Sequence, residues 1–352
     1  EIVASNGGSN NANTTQDRTY YYEVFPSNNL QLGLWMESER MLHPIIDQGG
    51  IDTQNEVVKE EKRLRYDNSP YGQFLPVLGK NLFEKHPYKD PNIGYMADLD
   101  AATLDDVIAY NKKYYVPNNA VLVVAGDIDL GETKKMVKDY FGSIPKGENI
   151  TRNYPKETPI TEQKTAKFYD PNIQIPASMI AYRTPGFKER DAYVLDMIST
   201  YLSDGPSSKL YKKMVDDQKQ ALQVGAFNIS QEDYGMYVVF GLPVGETTLK
   251  VLTTEMEEEI EKVRTILISE KDYQKIQNKF ENQFVNSNSN VEGIANSLAR
   301  YYLLYGDTSL INKEIDIYRS ISREEIKEVA SKYLNPNQRL VLEYLPEENT
   351  AN

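Results

Sequence analysis

The chain is 352 residues long, beyond what one hydrophobic core normally serves, so two domains are expected. Its formal net charge is -13 and its pI is near 4.9, which sets aside nucleic acid and anionic membrane as partners, because either would repel this surface at long range. Zero Cys excludes disulfides, thiolate zinc sites and thiol nucleophiles, and leaves His and carboxylates as protein ligands for a transition metal.

No apolar run approaches the roughly eighteen residues of a membrane span, and mean hydropathy is -0.58. Tyr is frequent, with 26 Tyr against one Trp. Its apolar ring and polar tip suit half-buried strands and strands that receive an extended peptide.

Taken in chain order, periodicity predicts a strand over 15–25, a helix over 29–42 and an acidic helix over 52–66. A helix beginning at Thr103, a strand over 120–125 and a helix over 130–141 follow. Pro, Gly and charge then replace periodic apolar residues in Ile144–Pro159, which reads as a linker. Beyond it come strands over 164–169 and 177–182, a helix over 191–202, strands over 222–229 and 236–242, and two long helices over 247–268 and 270–284. Strands in runs with helices grouped beside them predict an α+β fold with largely antiparallel sheets.

An ungapped internal repeat predicts that this fold occurs twice. Thr103–Val123 lies over Ser322–Leu342, and each copy opens on a capping signal with an acidic residue three positions on. Each then runs as an amphipathic helix, breaks at a Pro-Asn turn, Pro117 or Pro336, and enters an apolar stretch. A period this long means duplicated domains rather than a solenoid. The expected organisation is a first domain over 1–145, a linker over 146–162 and a homologous second domain over 163–352.

Two segments carry the chemistry: the run Asn6–Phe25, containing Asn10-Asn-Ala-Asn-Thr14, and the acidic helix Asn55-Glu-Val-Val-Lys-Glu-Glu-Lys-Arg63. Together they resemble the pitrilysin and insulinase family of zinc peptidases, which includes mitochondrial processing peptidase. Tyr182-Arg-Thr-Pro-Gly186 and Gly205-Pro-Ser-Ser-Lys-Leu-Tyr211 resemble that family's second domain. In the family an inverted H-x-x-E-H helix supplies two histidine ligands and a general-base glutamate, and a distant glutamate completes the zinc shell. The resemblance implies that Glu61 is that last ligand. Without it, Glu61 reads as one solvated charge among alternating Lys and Glu.

The H-x-x-E-H segment is absent from this chain. Family spacing of roughly seventy-five residues between the second histidine and the last ligand would place that histidine before Glu1, so the chain is expected to begin downstream of its motif and to be inactive as given. Glu1–Ser5 reads as the tail of a helix. The only histidines, His43 and His86, each precede a Pro and have no second His at helical spacing. They are expected to be turn or surface residues and not a zinc pair.

The remaining assignments also follow from the resemblance. Asn11 and Ala12 match an Asn-Ala pair that meets the substrate backbone beside the zinc; their plainer reading is a Gly-Asn turn feeding a strand. Gln54 stands where many relatives carry an acidic residue facing the site, and an amide there can still hydrogen-bond a ligand. Glu60 points about 100° away from Glu61 and is expected at the surface. An Arg and a Tyr that contact the bound peptide in relatives are matched here by Val215 and Leu222, so a second homologous subunit or half is implied as their source.

The implied activity is a zinc-dependent metalloendopeptidase acting on peptides or unfolded proteins, in which zinc would polarise the scissile carbonyl and acidify its water. The alternatives are a non-catalytic assembly or substrate-presenting relative, and an unrelated α+β binding module. A periplasmic or cell-envelope setting is expected from the family alone.

Overall fold

The computed structural model describes residues 1–347. In chain order its helices and strands are α1 (Ile2–Ser5), β1 (Ser9–Thr14), β2 (Thr19–Val24), α2 (Leu30–Leu42), α3 (Gln48–Lys62), α4 (Phe74–Leu82), α5 (Met96–Ala101), α6 (Leu104–Tyr114) and α7 (Leu130–Phe141). They continue as β3 (Lys164–Asp170), β4 (Ala177–Pro185), α8 (Arg190–Ser203), β5 (Ala221–Ser230), β6 (Tyr234–Pro243), α9 (Leu249–Thr265), α10 (Glu270–Ser287), α11 (Val291–Arg300), α12 (Leu310–Ser320), α13 (Arg323–Tyr333) and β7 (Arg339–Pro346). The chain divides into two compact units that interleave along the sequence. Among the described residues, one comprises 1–60, 92–153 and 284–312, the other 61–91, 154–283 and 313–347. The break at 153/154 falls within the segment 146–162, while residues 61–91 and 284–312 each group with the unit on the far side of it.

The first unit is built on the antiparallel hairpin β1–β2, with Asn11 opposite Tyr22 and Ala12 opposite Tyr21. Tyr20 and Tyr22 share one face and stack at 5.4 Å, as the two-residue period of a strand requires. On the other face the Tyr21 hydroxyl lies 2.7 Å from that of Tyr115. Helix α2 is tied to α7 by Gln31 Nε2 donating to the Tyr140 hydroxyl at 2.7 Å.

The second unit carries a mixed five-stranded sheet in the order β3-β7-β4-β6-β5. β3 and β7 are parallel and the other pairings antiparallel. Both faces are covered, so central β4 is buried along most of its length rather than at alternate residues, with the apolar run Met179–Tyr182 at its middle. Met179 and Ala181 pack with Leu78 and Leu82 of α4, together with Leu340, Leu342 and Tyr344 of β7. Ile180 and Tyr182 point the opposite way and are equally buried. The fold is α+β, as expected.

Capping and turn signals of the internal repeat appear in both copies. Thr103 and Asp106 form a reciprocal capping box at α6, and Ser322 accepts from Glu325 N–H at α13. Both Pro-Asn sites form short 3-10 turns. The copies part at the strand. Arg339–Pro346 is hydrogen-bonded on both sides, by β3 and β4, whereas residues 120–125, expected as a strand, form none because no described strand pairs with them. Of the stretch expected as a strand over 15–25, residues 15–18 form the hairpin turn and Thr19–Val24 form β2, whose partner β1 lies before it.

Candidate functional site

Helix α3 delivers Glu61 at its C-terminal end. Asp47 Oδ1 accepts Gly50 N–H at 2.7 Å near the start of the helix, and Asn55 Nδ2 donates to Leu99 C=O at 2.6 Å. Lys59 joins Glu56 and Asp100 at 2.9 and 2.7 Å. The helix begins earlier than its charge pattern suggested and ends in a π-helical turn over Arg63–Asp67. Such wide turns recur at functional sites.

Glu61 is half-buried and its Oε1 lies 3.1 Å from Arg65 Nη1. Glu60 and Gln54 are exposed, Gln54 being two turns before Glu61 on the same helix. At the end of the π turn, Asp67 Oδ1 accepts from Lys62 Nζ at 2.6 Å and from Gln73 Nε2 at 2.7 Å. Asn172 Nδ2 donates to Asp67 C=O at 2.8 Å. These bonds fix the chain as it leaves α3.

Asn11 and Ala12 lie at the middle of β1, an exposed strand whose outer edge is not covered by a third strand among the described residues. Such an edge can accept an extended peptide through main-chain hydrogen bonds. Gly7, with φ +71, makes the turn into it, where a side chain would be strained.

Sequence reasoning missed Glu23 on β2. Its side chain is 8% exposed, and Arg40 Nη2 is 4.0 Å from Oε1. Neither carboxylate oxygen has a hydrogen-bond partner among the described residues. Burial, then the neighbouring Glu37 carboxylate, push its pKa up to about 7 against the pull of Arg40. Arg40 is itself bound to Glu37 at 3.0 Å and lies over the Tyr21 ring at 4.5 Å. The one signal in the sequence was an acidic residue on an inward-facing position of a Tyr-rich strand.

The histidines do not approach one another as a ligand pair. His43 is exposed, with Nδ1 2.9 Å from Glu39 Oε2. His86 is a turn residue, one of the two settings expected, and it is buried there, 1% exposed. Its Nδ1 accepts Tyr88 N–H, and Nε2 lies 3.1 Å from Asp233 Oδ2. Rings of Phe83, Tyr88, Tyr154 and Tyr234 surround it. The following Pro87 holds His86 extended as the cap of a 3-10 turn and directs its ring inward. Val215 is half-buried in a π-helical turn over Tyr211–Asp217, and Leu222 is 56% exposed on β5.

No group of three or more His, Asp or Glu side chains among the described residues is placed to hold a metal. Glu61 is a single carboxylate paired with a cation. The residues of this chain alone do not fit a catalytic zinc, which takes three protein ligands.

A family model described as the peptidase M16 inactive domain matches residues 101–280. The chain belongs to that family. Among its M16 relatives, the zinc protease PqqE of Helicobacter pylori is 26% identical over 96% of this chain and 76% of its own length. YmxG of Bacillus subtilis, named as an uncharacterized zinc protease, is 23% identical over 96% of this chain and 80% of its own. A protease structure from Helicobacter pylori superposes with a TM-score of 0.92 at 26% identity, covering 98% of this chain and 83% of that one. The first half of the periplasmic protease PqqL from Escherichia coli shares the fold at a TM-score of 0.74 and 16% identity, over 96% of this chain and 75% of that one. Thus the M16 chain has zinc-protease relatives, and the resemblance to pitrilysin and insulinase peptidases stands. No helix among the described residues is long and apolar enough to cross a membrane.

Proposed function

We propose that this chain is the substrate-binding, Glu61-bearing part of a zinc metalloendopeptidase that acts on extended peptides or unfolded proteins. The observation that carries the reading is the open edge of β1 at Asn11 and Ala12. A strand edge binds through the main chain and tolerates many side chains, as a peptidase for unfolded polypeptide requires. Glu61, half exposed at the end of α3, is the carboxylate offered to a zinc whose histidine ligands and general base are not among this chain's residues. Gln54 is assigned a supporting polar role toward it. Zinc, when bound in the complete site, supplies Lewis acidity; this chain's own contribution is to bind and orient the peptide.

Val215 and Leu222 lack the polarity of the Arg and Tyr that contact peptide in relatives, so a second homologous half is proposed to provide them. The two-part organisation named for PqqL supports this, and its periplasmic name supports a periplasmic or cell-envelope setting. The second reading is a non-catalytic, substrate-presenting subunit, favoured by the single isolated carboxylate at the site.

Zinc content and cleavage of a quenched unfolded peptide, measured on the polypeptide that carries this chain in the cell, decide between them. Loss of both in Glu61→Gln supports the peptidase. Peptide binding without zinc or turnover, unchanged by Glu61→Gln, establishes the presenting subunit instead.

A further inference from the structure

The outer edge of β1 is already satisfied at two points by side chains of its own unit. Thr15 N–H donates to Arg18 C=O at 2.8 Å, which makes Thr15 and Arg18 a hydrogen-bonded pair. Alternation along an antiparallel ladder then turns the main-chain groups of Asn13 and Asn11 toward β2, and those of Thr14, Ala12 and Asn10 outward. On that outward row, Ala12 N–H donates to Asn11 Oδ1 at 2.8 Å. Two residues on, Thr14 C=O accepts from Asn92 Nδ2 at 2.8 Å.

A carboxamide oxygen and a carboxamide nitrogen therefore stand where the carbonyl and the amide of an added strand would stand. Ala12 and Thr14 are about 6.8 Å apart along the strand, the repeat at which an antiparallel partner presents its bonding groups. We propose that Asn92, together with Asn11, caps the β1 edge as a stand-in for peptide backbone, and that an arriving extended peptide displaces both carboxamides. This rests on the reading of β1 as the peptide-binding edge. It makes Asn92 a determinant of peptide affinity with no chemical role. It also gives the edge a means of staying unpaired when no peptide is present, a hazard that exposed strands must manage.

Each exchanged bond replaces one satisfied pair with another, so a cap removes the net gain of about one hydrogen bond, roughly a fivefold change in affinity. The test uses the full chain and a fluorescent decapeptide of alternating Val and Gln, with anisotropy for affinity and amide hydrogen exchange for position. Asn92→Ala and the similarly sized, donor-free Asn92→Asp are expected to bind the peptide about fivefold more tightly than the parent. Binding is expected to slow exchange at Ala12. In the free chain, Asn11→Ala is expected to speed exchange at Ala12, a readout that stands even where an Asn92 variant folds poorly. If peptide protects Ala12 but both Asn92 variants bind no more tightly than the parent, the capping role is overturned while the edge reading survives. If no variant gains protection at Ala12, the edge reading itself falls and the inference with it.

Discussion

Arg65 Nη1 lies 3.1 Å from Glu61 Oε1, one helical turn further along the chain. Arg65 is 73% exposed and Glu61 38%, and a pair so open to water contributes at most about 1 kcal/mol. Glu61 is thus held in place by a contact that a stronger ligand can break.

Zinc titration follows from that arrangement. The chain alone is expected to retain no stoichiometric zinc after dialysis and to leave a quenched peptide uncut, since one carboxylate does not make a catalytic site. In the polypeptide carrying this chain in the cell, Glu61→Gln should lower zinc affinity with little change in melting temperature. Glu60→Gln should do much less, because it projects about 100° away. Sensitivity at Glu60 instead would place the ligand one residue earlier.

Glu23 sets a pH dependence on the acid side of neutrality. Its ordinary value is 4.5 and burial beside Glu37 lifts it to about 7, so across that window the folded state holds a proton the unfolded state has released. Its contribution is complete below 4.5 and is lost as pH rises through about 7. The loss is on the order of 3 kcal/mol at most. Glu23→Gln, which keeps the shape without the charge, should flatten the decline and be the more stable form at pH 8. Thermal melts of both proteins at pH 5 and pH 8 measure this, and identical pH profiles would remove Glu23 as the cause.

Glu157 works in the opposite direction. Its Oε1 accepts N–H bonds from Glu84, Lys85 and His86 at 2.9, 2.7 and 2.7 Å. Oε2 lies 3.2 Å from Arg183 Nη2, and the Glu157 side chain is 2% exposed. Burial raises its pKa, but the three backbone donors and Arg183 outweigh burial and hold it below 4.5. Its stabilisation is present above 4.5 and is lost as pH falls through the lower folded value. Glu157→Ala leaves three backbone donors without their acceptor and the buried Arg183 guanidinium without its counter-charge, bonded only to the Leu82 and Thr158 carbonyls, and should cost about 3–5 kcal/mol. Denaturant melts at pH 7 check the magnitude; a cost below about 1 kcal/mol would mean that water replaces the carboxylate.

What the sequence disclosed was local. Thr103 and Ser322 announced their helices because a cap and its partner lie within one turn, and Glu61 was placed on a helix by its neighbours. Glu157, in the segment read as a linker, gave no sign of its role, since its donors lie far back in the chain and only folding brings them together. The burial of His86 stayed hidden for the same reason: its partner, Asp233, comes from a distant loop. The apolar stretch 120–125 was read as a strand from its composition, yet a strand needs a partner as well as a propensity. The sequence also offered no way to tell that the edge of β1 would be capped by Asn92.

Tyr71 supplies the last expectation. It takes φ +59, a left-handed conformation costly for a bulky residue and kept only where surroundings enforce it. Asp170 is the enforcing group, 2% exposed. Its Oδ2 accepts Tyr71 N–H at 3.1 Å and the Tyr344 hydroxyl at 2.8 Å, and its Oδ1 accepts Asn172 N–H at 2.8 Å. Asn172 in turn holds Asp67, at the end of the turn that follows Glu61. Asp170→Ala strips these donors of their acceptor and should cost about 2–4 kcal/mol. It should also release Tyr71 and speed amide exchange over residues 63–72, whereas Tyr344→Phe, which removes only one donor from Asp170, should leave that segment protected. If Asp170→Ala lowers the melting temperature while exchange over 63–72 stays slow, Asp170 stabilises the sheet alone and the turn after Glu61 is held by Asp67 without it.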